Sequence, residues 1–277
     1  MSRTAVLSEP AVSTAVAAGP KSQRLRLLGQ CVDLVTPIQV LDHMAETIRA
    51  GRRAVVANHN LNSLKLVRDN ALMRAFYDQA ELVQIDSTPL IAFGRLLGLP
   101  LSRAHRSTYL DWRDDFWMRA DRLGWRVFYL GGTASAGDRA VARLAGRYPG
   151  AVIEARSGYF DGTPGSSDNA AVLDRIAAFG PDVLMVGMGM PRQEAWIVQH
   201  LTALPPCVVL NVGAAFDYEA GVQKPAPRWT GRLGLEWAYR LIHDPRRLFR
   251  RYCVEPWSLA GPALADVGAA LRRRRQA

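Results

Sequence analysis

Six short runs rich in Val, Ile and Leu, each separated from the next by a longer segment of helical periodicity, constrain this chain more than any other feature. The runs are RRAVVANHN (52–60), ELVQID (81–86), WRVFYLGG (125–132), AVIEARSGYF (151–160), DVLMVGMGMP (182–191) and CVVLNVGAAFDY (207–218). Between them, Leu64, Val67, Leu72 and Phe76 recur at helical spacing across 64–79, and 112–123, 134–150, 170–181 and 192–204 carry patterns of the same kind. A short run that is apolar on both sides suits a buried strand, and a helix between consecutive strands makes them parallel. The expected fold is α/β, a parallel sheet covered by helices on both faces. Ligands of such sheets gather beyond the carboxyl ends of the strands. The loops of interest are therefore NHN (58–60), DSTP (86–89), GGT (131–133), GMGMP (187–191) and GAAFDY (213–218).

Charge divides the chain unevenly. Residues 224–277 hold one Lys and eleven Arg against four acids, a net +8, which leaves about +2 of the chain's +10 for residues 1–223. The segment GVQKPAP (221–227) marks the boundary. We divide the chain into a disordered tail (1–24), an α/β body (25–222), a helical basic appendage (223–257) and a basic tail (258–277). In the appendage, Trp229, Leu233, Trp237 and Leu241 repeat every four residues, an apolar stripe for the body or a membrane interface. Arg228, Arg232 and Arg240 follow a neighbouring stripe interrupted by Glu236. After Asp244-Pro245, Arg246, Arg247, Arg250 and Arg251 with Phe249 and Tyr252 suit anionic headgroups, at about 1 kcal/mol per basic residue. The terminal RRRR (272–275) either adds to that or is solvated. Basic charge interleaved with aromatics also suits a phosphate pocket or a nucleic acid. The last is disfavoured, because the body shows neither a helix-turn-helix pattern nor an RNP-like aromatic strand.

Several chemistries lose support. No stretch reaches the roughly 18 apolar residues of a membrane span, and the N-terminus lacks the apolar block of a secretory signal. Cys31, Cys207 and Cys253 make neither a disulfide framework nor a zinc site, which fits a reducing cytoplasm. The five histidines show no metal-ligand spacing, and there is no DxD to hold a metal against a sugar diphosphate. Arginines and backbone N–H groups would then have to stabilise a leaving diphosphate. GMGMPRQE (187–194) puts glycines between a strand and a helix N-terminus, which is either a phosphate cradle or a tight turn; Arg192 breaks the GxGxxG pattern. GGTASAGD (131–138) fails as a P-loop. Asp86, at the end of an apolar strand, is either a turn former or helix cap or, at the ligand edge, a general base.

NHN, the acid of DSTPL, WRVFYLGG, GYFDG, VGMGMPRQEAW, GAAFDY and then PAPRW…GLEWAYRL…PRRLFRRY occur in an order that resembles the WecG/TagA/CpsF glycosyltransferases, from about Leu25 to Trp257. That resemblance implies a Rossmann-like body and a C-terminal appendage that helps form the site at the membrane. It also implies inverting, metal-independent transfer from a UDP-sugar to a polyprenyl-diphosphate-linked saccharide, with no cofactor. Such an enzyme is expected in the cytoplasm, peripheral on the inner face of a bacterial membrane, with an acidic membrane surface as partner and no nucleic acid; self-association is left open.

Carried over by position, the resemblance makes Asp86 the general base. Asn58, Asn60, Gly131, Gly132, Tyr159, Gly187, Gly189, Gln193 and Asp217 fall on the donor side. Thr88, Arg106, Arg228, Arg232 and Arg240 fall on the diphosphate and acceptor side. The chain departs from the family pattern at Ser87 for Gly, at Asn58-His59-Asn60 for Thr-x-Asn, at RAHRSTYLDW (103–112) and at GAAFD (213–217). The HR-x-TY-x-DW variant is closer to an exopolysaccharide branch of the family. Arg106 and Thr108 either shape the sugar pocket or cap a helix.

Overall fold

The computed structural model describes residues 22–224, 226–227, 230, 236–243 and 245–276. Every one of the six apolar runs contains a strand. They are β3 (Ala54–His59), β4 (Ala80–Ile85), β5 (Arg126–Gly131), β6 (Val152–Arg156), β7 (Val183–Gly187) and β8 (Val208–Asn211). All pair in parallel, in the order β4-β3-β8-β7-β5-β6. In the inner strands alternate side chains feed two separate cores, as a period of two demands. Val55, Ala57, Phe128, Leu130, Leu184 and Val186 pack under α3 (Ala71–Asp78), α7 (Ser167–Phe179) and α8 (Arg192–His200). Val56, Val127, Tyr129, Met185 and Leu210 pack under α1 (Pro37–Arg49), α5 (Tyr109–Leu123), α6 (Ala134–Arg147) and α9 (Ala215–Glu219). The sheet is thus covered on both faces, as expected.

This layering opens the sheet at its carboxyl edge. The chain leaves β3 for the first face, through α2 (Leu61–Asp69) into α3, but leaves the neighbouring β8 for the second face, into α9. Between β5 and β7 the same divergence recurs, toward α6 and α8. Adjacent strands that part to opposite faces leave a crevice between them.

Several boundaries differ from expectation; the strand expected over 182–191 stops at Gly187 and the helix expected over 192–204 stops at His200. The helix expected over 64–79 is two, because Asn70 adopts extended backbone and its side chain accepts from Met73 N–H at 3.0 Å, capping α3. The strand expected over 207–218 stops at Asn211, since Gly213 turns the backbone with φ +54° and α9 follows. The strand expected over 151–160 stops at Arg156.

The sequence patterns also passed over a hairpin, β1 (Arg24–Leu27) and β2 (Gln30–Asp33), and two helices, α1 and α4 (Thr88–Leu96). Arg24, assigned to the tail, opens β1; residues 1–21 lie outside the described set. The two-residue hairpin turn places Leu28 at φ +53° and Gly29 at φ +80°, the signs a tight hairpin turn requires. Asp33 accepts from Val83 N–H at 2.7 Å while paired with Arg24 at 2.8 Å, so the hairpin shields β4, one of the sheet's two edge strands.

The appendage continues as α10 (Glu236–His243), α11 (Pro245–Phe249), a π turn (Arg250–Val254), a 3-10 turn (Glu255–Leu259) and α12 (Ala260–Gln276). Residues 260–276, expected as a basic tail, form a docked helix. Ala263, Val267 and Ala270, at helical spacing, join Leu259 in a third core with Leu25, Leu28, Leu90 and Ile91. The four terminal arginines are exposed on its last turn.

Candidate active site

Asn58, near the end of β3, and Asp86, just past β4, line one small cavity of about 50 Å³ with Gln84, Ser107, Thr108, Tyr109, Trp112 and Asn211. The backbone N–H of Asp86 donates to His59 O at 2.9 Å, which carries the parallel ladder one residue beyond β4 and holds the carboxylate at the sheet edge. Asn58 is fixed across the β3–β8 crevice: its Nδ2 donates to Asn211 O at 2.8 Å and to Asn211 Oδ1 at 3.2 Å. Tyr77 OH donates to Asn58 O at 2.7 Å.

The NHN triplet divides its residues among three tasks. Asn58 enters the cavity. His59 is buried, stacked on Tyr77 with ring centroids 3.9 Å apart, and burial pulls its imidazole down to about 3, so it is neutral at ordinary pH. Asn60 caps α2, accepting from Asn62 N–H at 3.0 Å and Ser63 N–H at 3.1 Å, and it is absent from the cavity wall.

The other wall comes from RAHRSTYLDW. Arg106 bridges in parallel to Ile85, and Ser107 N–H donates to Ile85 O at 2.9 Å, so this segment prolongs the sheet edge. Ser107 Oγ donates to Gln84 Oε1. Thr108 both lines the cavity and caps α5, its Oγ1 donating to Asp111 Oδ2 at 2.8 Å. Arg106 pairs with Asp111 at 3.6 Å. Asn58 Oδ1 and Trp112 Nε1 are buried without a hydrogen-bond partner among the described residues. These two orphaned polar atoms, one from each wall, line the same cavity and are groups that a polar ligand could satisfy.

A buried relay links this cavity to the glycine loop. Asn211 Nδ2 and Gln193 Nε2 both donate to Glu194 Oε1, at 2.8 and 2.7 Å, and Gly189 N–H donates to Gln193 Oε1 at 3.1 Å. Burial pushes the Glu194 carboxyl up from its ordinary value. Gln193, expected near the donor, is 1% exposed and braces the loop from within.

The remaining residues expected on the donor side meet at the ends of β5, β7 and β8. A Cβ on Gly131 would lie 2.4 Å from Gly187 O, and one on Gly187 would lie 2.3 Å from Gly213 O, so both positions require glycine for close backbone packing. Tyr129 stacks on Phe216 at 3.9 Å; burial first, then Asp217, raises its phenol. Gly132 sits beside Asp217, whose carboxyl is pushed up by burial. Gly158 N–H donates to Gly132 O at 3.0 Å, and the next residue, Tyr159, is 73% exposed. Gly131, Gly132, Tyr159, Gly187 and Asp217 thus form one cluster.

Thr88, two residues past Asp86, opens α4 and is half-buried, outside the cavity wall. Arg228 and Arg232 lie outside the described residues. The backbone places Arg240 in α10, Arg247 in α11 and Arg251 in the π turn. Arg246 and Arg250 are exposed, with Arg250 Nε 3.8 Å from Glu255. Among the described residues no helix is long and apolar enough to cross a membrane, and no three His, Cys, Asp or Glu side chains converge as a metal site.

Gln84, Ser107, Asn211 and Glu194 escaped the sequence patterns. For two of them a signal was present: Gln84 and Asn211 are polar intrusions in the apolar runs LVQI and VVLN.

A model of the glycosyl transferase WecG/TagA/CpsF family matches residues 25–274. Curated relatives from Staphylococcus aureus strains MRSA252, MW2 and NCTC 8325 are each 30% identical over 237 residues, covering 82% of this chain and 87% of the relative. Each is named as an N-acetylglucosaminyldiphosphoundecaprenol N-acetyl-beta-D-mannosaminyltransferase.

Proposed function

The chain belongs to the WecG/TagA/CpsF family and is a glycosyltransferase, and from that premise we propose that it moves a sugar, with inversion, from a UDP-sugar to a polyprenyl-diphosphate-linked saccharide. The observation that carries this reading is the cavity at the β3–β8 crevice, where Asp86 faces Asn58, Thr108 and Asn211 beside two orphaned polar groups. A carboxylate at that edge suits one proton transfer. An acceptor-sugar hydroxyl gives its proton to Asp86, its oxygen bonds to the anomeric carbon, and the bond from that carbon to the diphosphate oxygen breaks on the opposite side.

The donor would lie along the glycine-lined ends of β5 and β7, with Tyr159 and Asp217 toward the nucleotide. The departing diphosphate needs positive charge and N–H groups, for which Arg106 and the appendage arginines Arg228, Arg232 and Arg240 are the candidates. No metal enters this scheme. The relatives transfer N-acetylmannosamine to a diphosphoundecaprenol-linked N-acetylglucosamine. The HR-x-TY-x-DW wall supports a different sugar pairing, of the exopolysaccharide kind. Arg246, Arg247, Arg250 and Arg251 would hold the enzyme on the acidic inner face of the membrane, where such an acceptor resides.

A panel of UDP-sugars incubated with lipid-linked mono- and oligosaccharides tests the proposal. UDP release and a new glycosidic bond are expected for one donor and acceptor pair. UDP-sugar turnover with no dependence on acceptor would contradict it.

A further inference from the structure

A second concavity, of about 380 Å³, lies beside the cavity, and all ten residues that line it are apolar. Its walls come from the hairpin tip at Leu28, the start of α2 at Leu61, the start of α4 at Pro89, Leu90 and Phe93, and the appendage at Trp257 and Ala260. Two chain segments tie this groove to the site. Leu61 follows Asn58 by three residues and Pro89 follows Asp86 by three, so each Cα lies within about 11 Å of its cavity counterpart. The groove is held in shape by polar fastenings outside it. Leu28 N–H donates to Asp266 Oδ2 at 2.6 Å, Lys65 pairs with Glu255 at 3.1 Å, and Arg68 donates to Ser258 O. Its mouth is open, with Trp257 78% exposed and Ala260 exposed.

An open apolar groove of this size is a binding surface. Its lining side chains offer one hydrogen-bonding group, the Trp257 indole N–H, so a peptide strand laid there would leave most of its backbone N–H and C=O groups without partners. A hydrocarbon chain needs no partners. The acceptor of the relatives carries such a chain on its diphosphate.

We propose that this groove binds the first isoprene units of the acceptor's polyprenyl chain, which leaves the Asp86 cavity past Leu61 and Pro89 and runs between α4 and the appendage. The inference rests on the lipid-linked acceptor proposed above. The groove selects the lipid, while the cavity selects the sugar.

Binding measured by titration calorimetry, with farnesyl diphosphate, isopentenyl diphosphate and inorganic diphosphate as probes, tests this without turnover. The protein is expected to bind the fifteen-carbon probe at least about tenfold more tightly than the five-carbon one, a gain from added buried apolar area. Ala260→Phe places a ring in the groove from an exposed position, and Trp257→Ala removes one exposed wall. Both are expected to abolish the chain-length preference while UDP affinity and circular dichroism stay unchanged. Equal affinity for the two isoprenyl probes, or a preference that survives both variants, overturns the proposal. So does loss of binding to phosphatidylglycerol vesicles in both variants with no isoprenyl preference in the parent, which would make the groove a membrane-insertion surface. A chain-length preference in a protein that releases no UDP with any lipid-linked acceptor supports the groove and removes the transferase scheme.

Discussion

Glu194 offers the sharpest test of the relay behind the cavity. It is fully buried, and its Oε1 accepts from Asn211 at 2.8 Å and from Gln193 at 2.7 Å. Glu194→Ala would leave both amide donors buried without an acceptor. At about 1–3 kcal/mol each, the expected destabilisation is roughly 2–6 kcal/mol. Glu194→Gln keeps a carbonyl for both donors and is expected to stay within about 1 kcal/mol of the parent near neutral pH. The two variants also part in their pH dependence. Burial raises the folded carboxyl above its ordinary 4.5. Between those two values the folded protein holds a proton that the unfolded chain has released, so Glu194 makes stability fall as pH rises through that window. Gln has no such proton. Its penalty relative to Glu is therefore expected to be largest at about pH 4 and to shrink toward about pH 8. Urea unfolding at several pH values measures both quantities. A Glu194→Ala cost below about 1 kcal/mol, or a Gln penalty that grows with pH, would refute the relay.

Three further outcomes are expected. Gly187→Ala drives a Cβ to 2.3 Å from the Gly213 carbonyl, a backbone atom that cannot swing away, and is expected to cost about 3 kcal/mol. Gly189→Ala, with nothing within 4 Å but φ +81°, is expected to cost only about 1–2 kcal/mol, and thermal unfolding of the pair separates packing from backbone strain. Asp266→Ala removes the acceptor of Leu28 N–H and is expected to destabilise by about 1–3 kcal/mol in urea unfolding, loosening α12 from the hairpin. Transfer activity is expected to survive exhaustive treatment with EDTA; activity restored only by added magnesium or manganese would contradict the metal-free scheme.

The sheet was legible because its inner strands are apolar runs too short for a helix and bounded by glycine, proline or a polar tip; β6, VIEAR, is a mixed edge strand read from its place between helices. What stayed hidden was set by contacts distant in sequence. In the β1–β2 hairpin only β1 alternates, as RLRL over four residues, and QCVD does not answer it: the pair makes sense only once Asp33 is seen across β4 and Leu28 against α12. The terminal helix was masked by its four arginines, although Ala263, Val267 and Ala270 already traced a small apolar face. In the candidate site, Asp86 and Asn58 drew notice by their places at strand ends, and both line one cavity. Asn60 and Gln193 share motifs with site residues, yet one caps α2 and the other braces a loop. Local spacing does not separate a side chain that faces the ligand from one that holds the backbone beside it. Tertiary contacts make that distinction, and Asn211 and Glu194 became visible only through them.

In the proposed transfer the Asp86 carboxylate takes the acceptor proton. Asp86→Asn preserves shape and hydrogen-bonding reach but cannot accept that proton. Single-turnover transfer from the cognate UDP-sugar is expected to slow by at least about 100-fold, the usual scale of a lost general base, while UDP dissociation constants change by less than about threefold. A variant that transfers within about tenfold of the parent rate, with UDP binding intact, would contradict the claim.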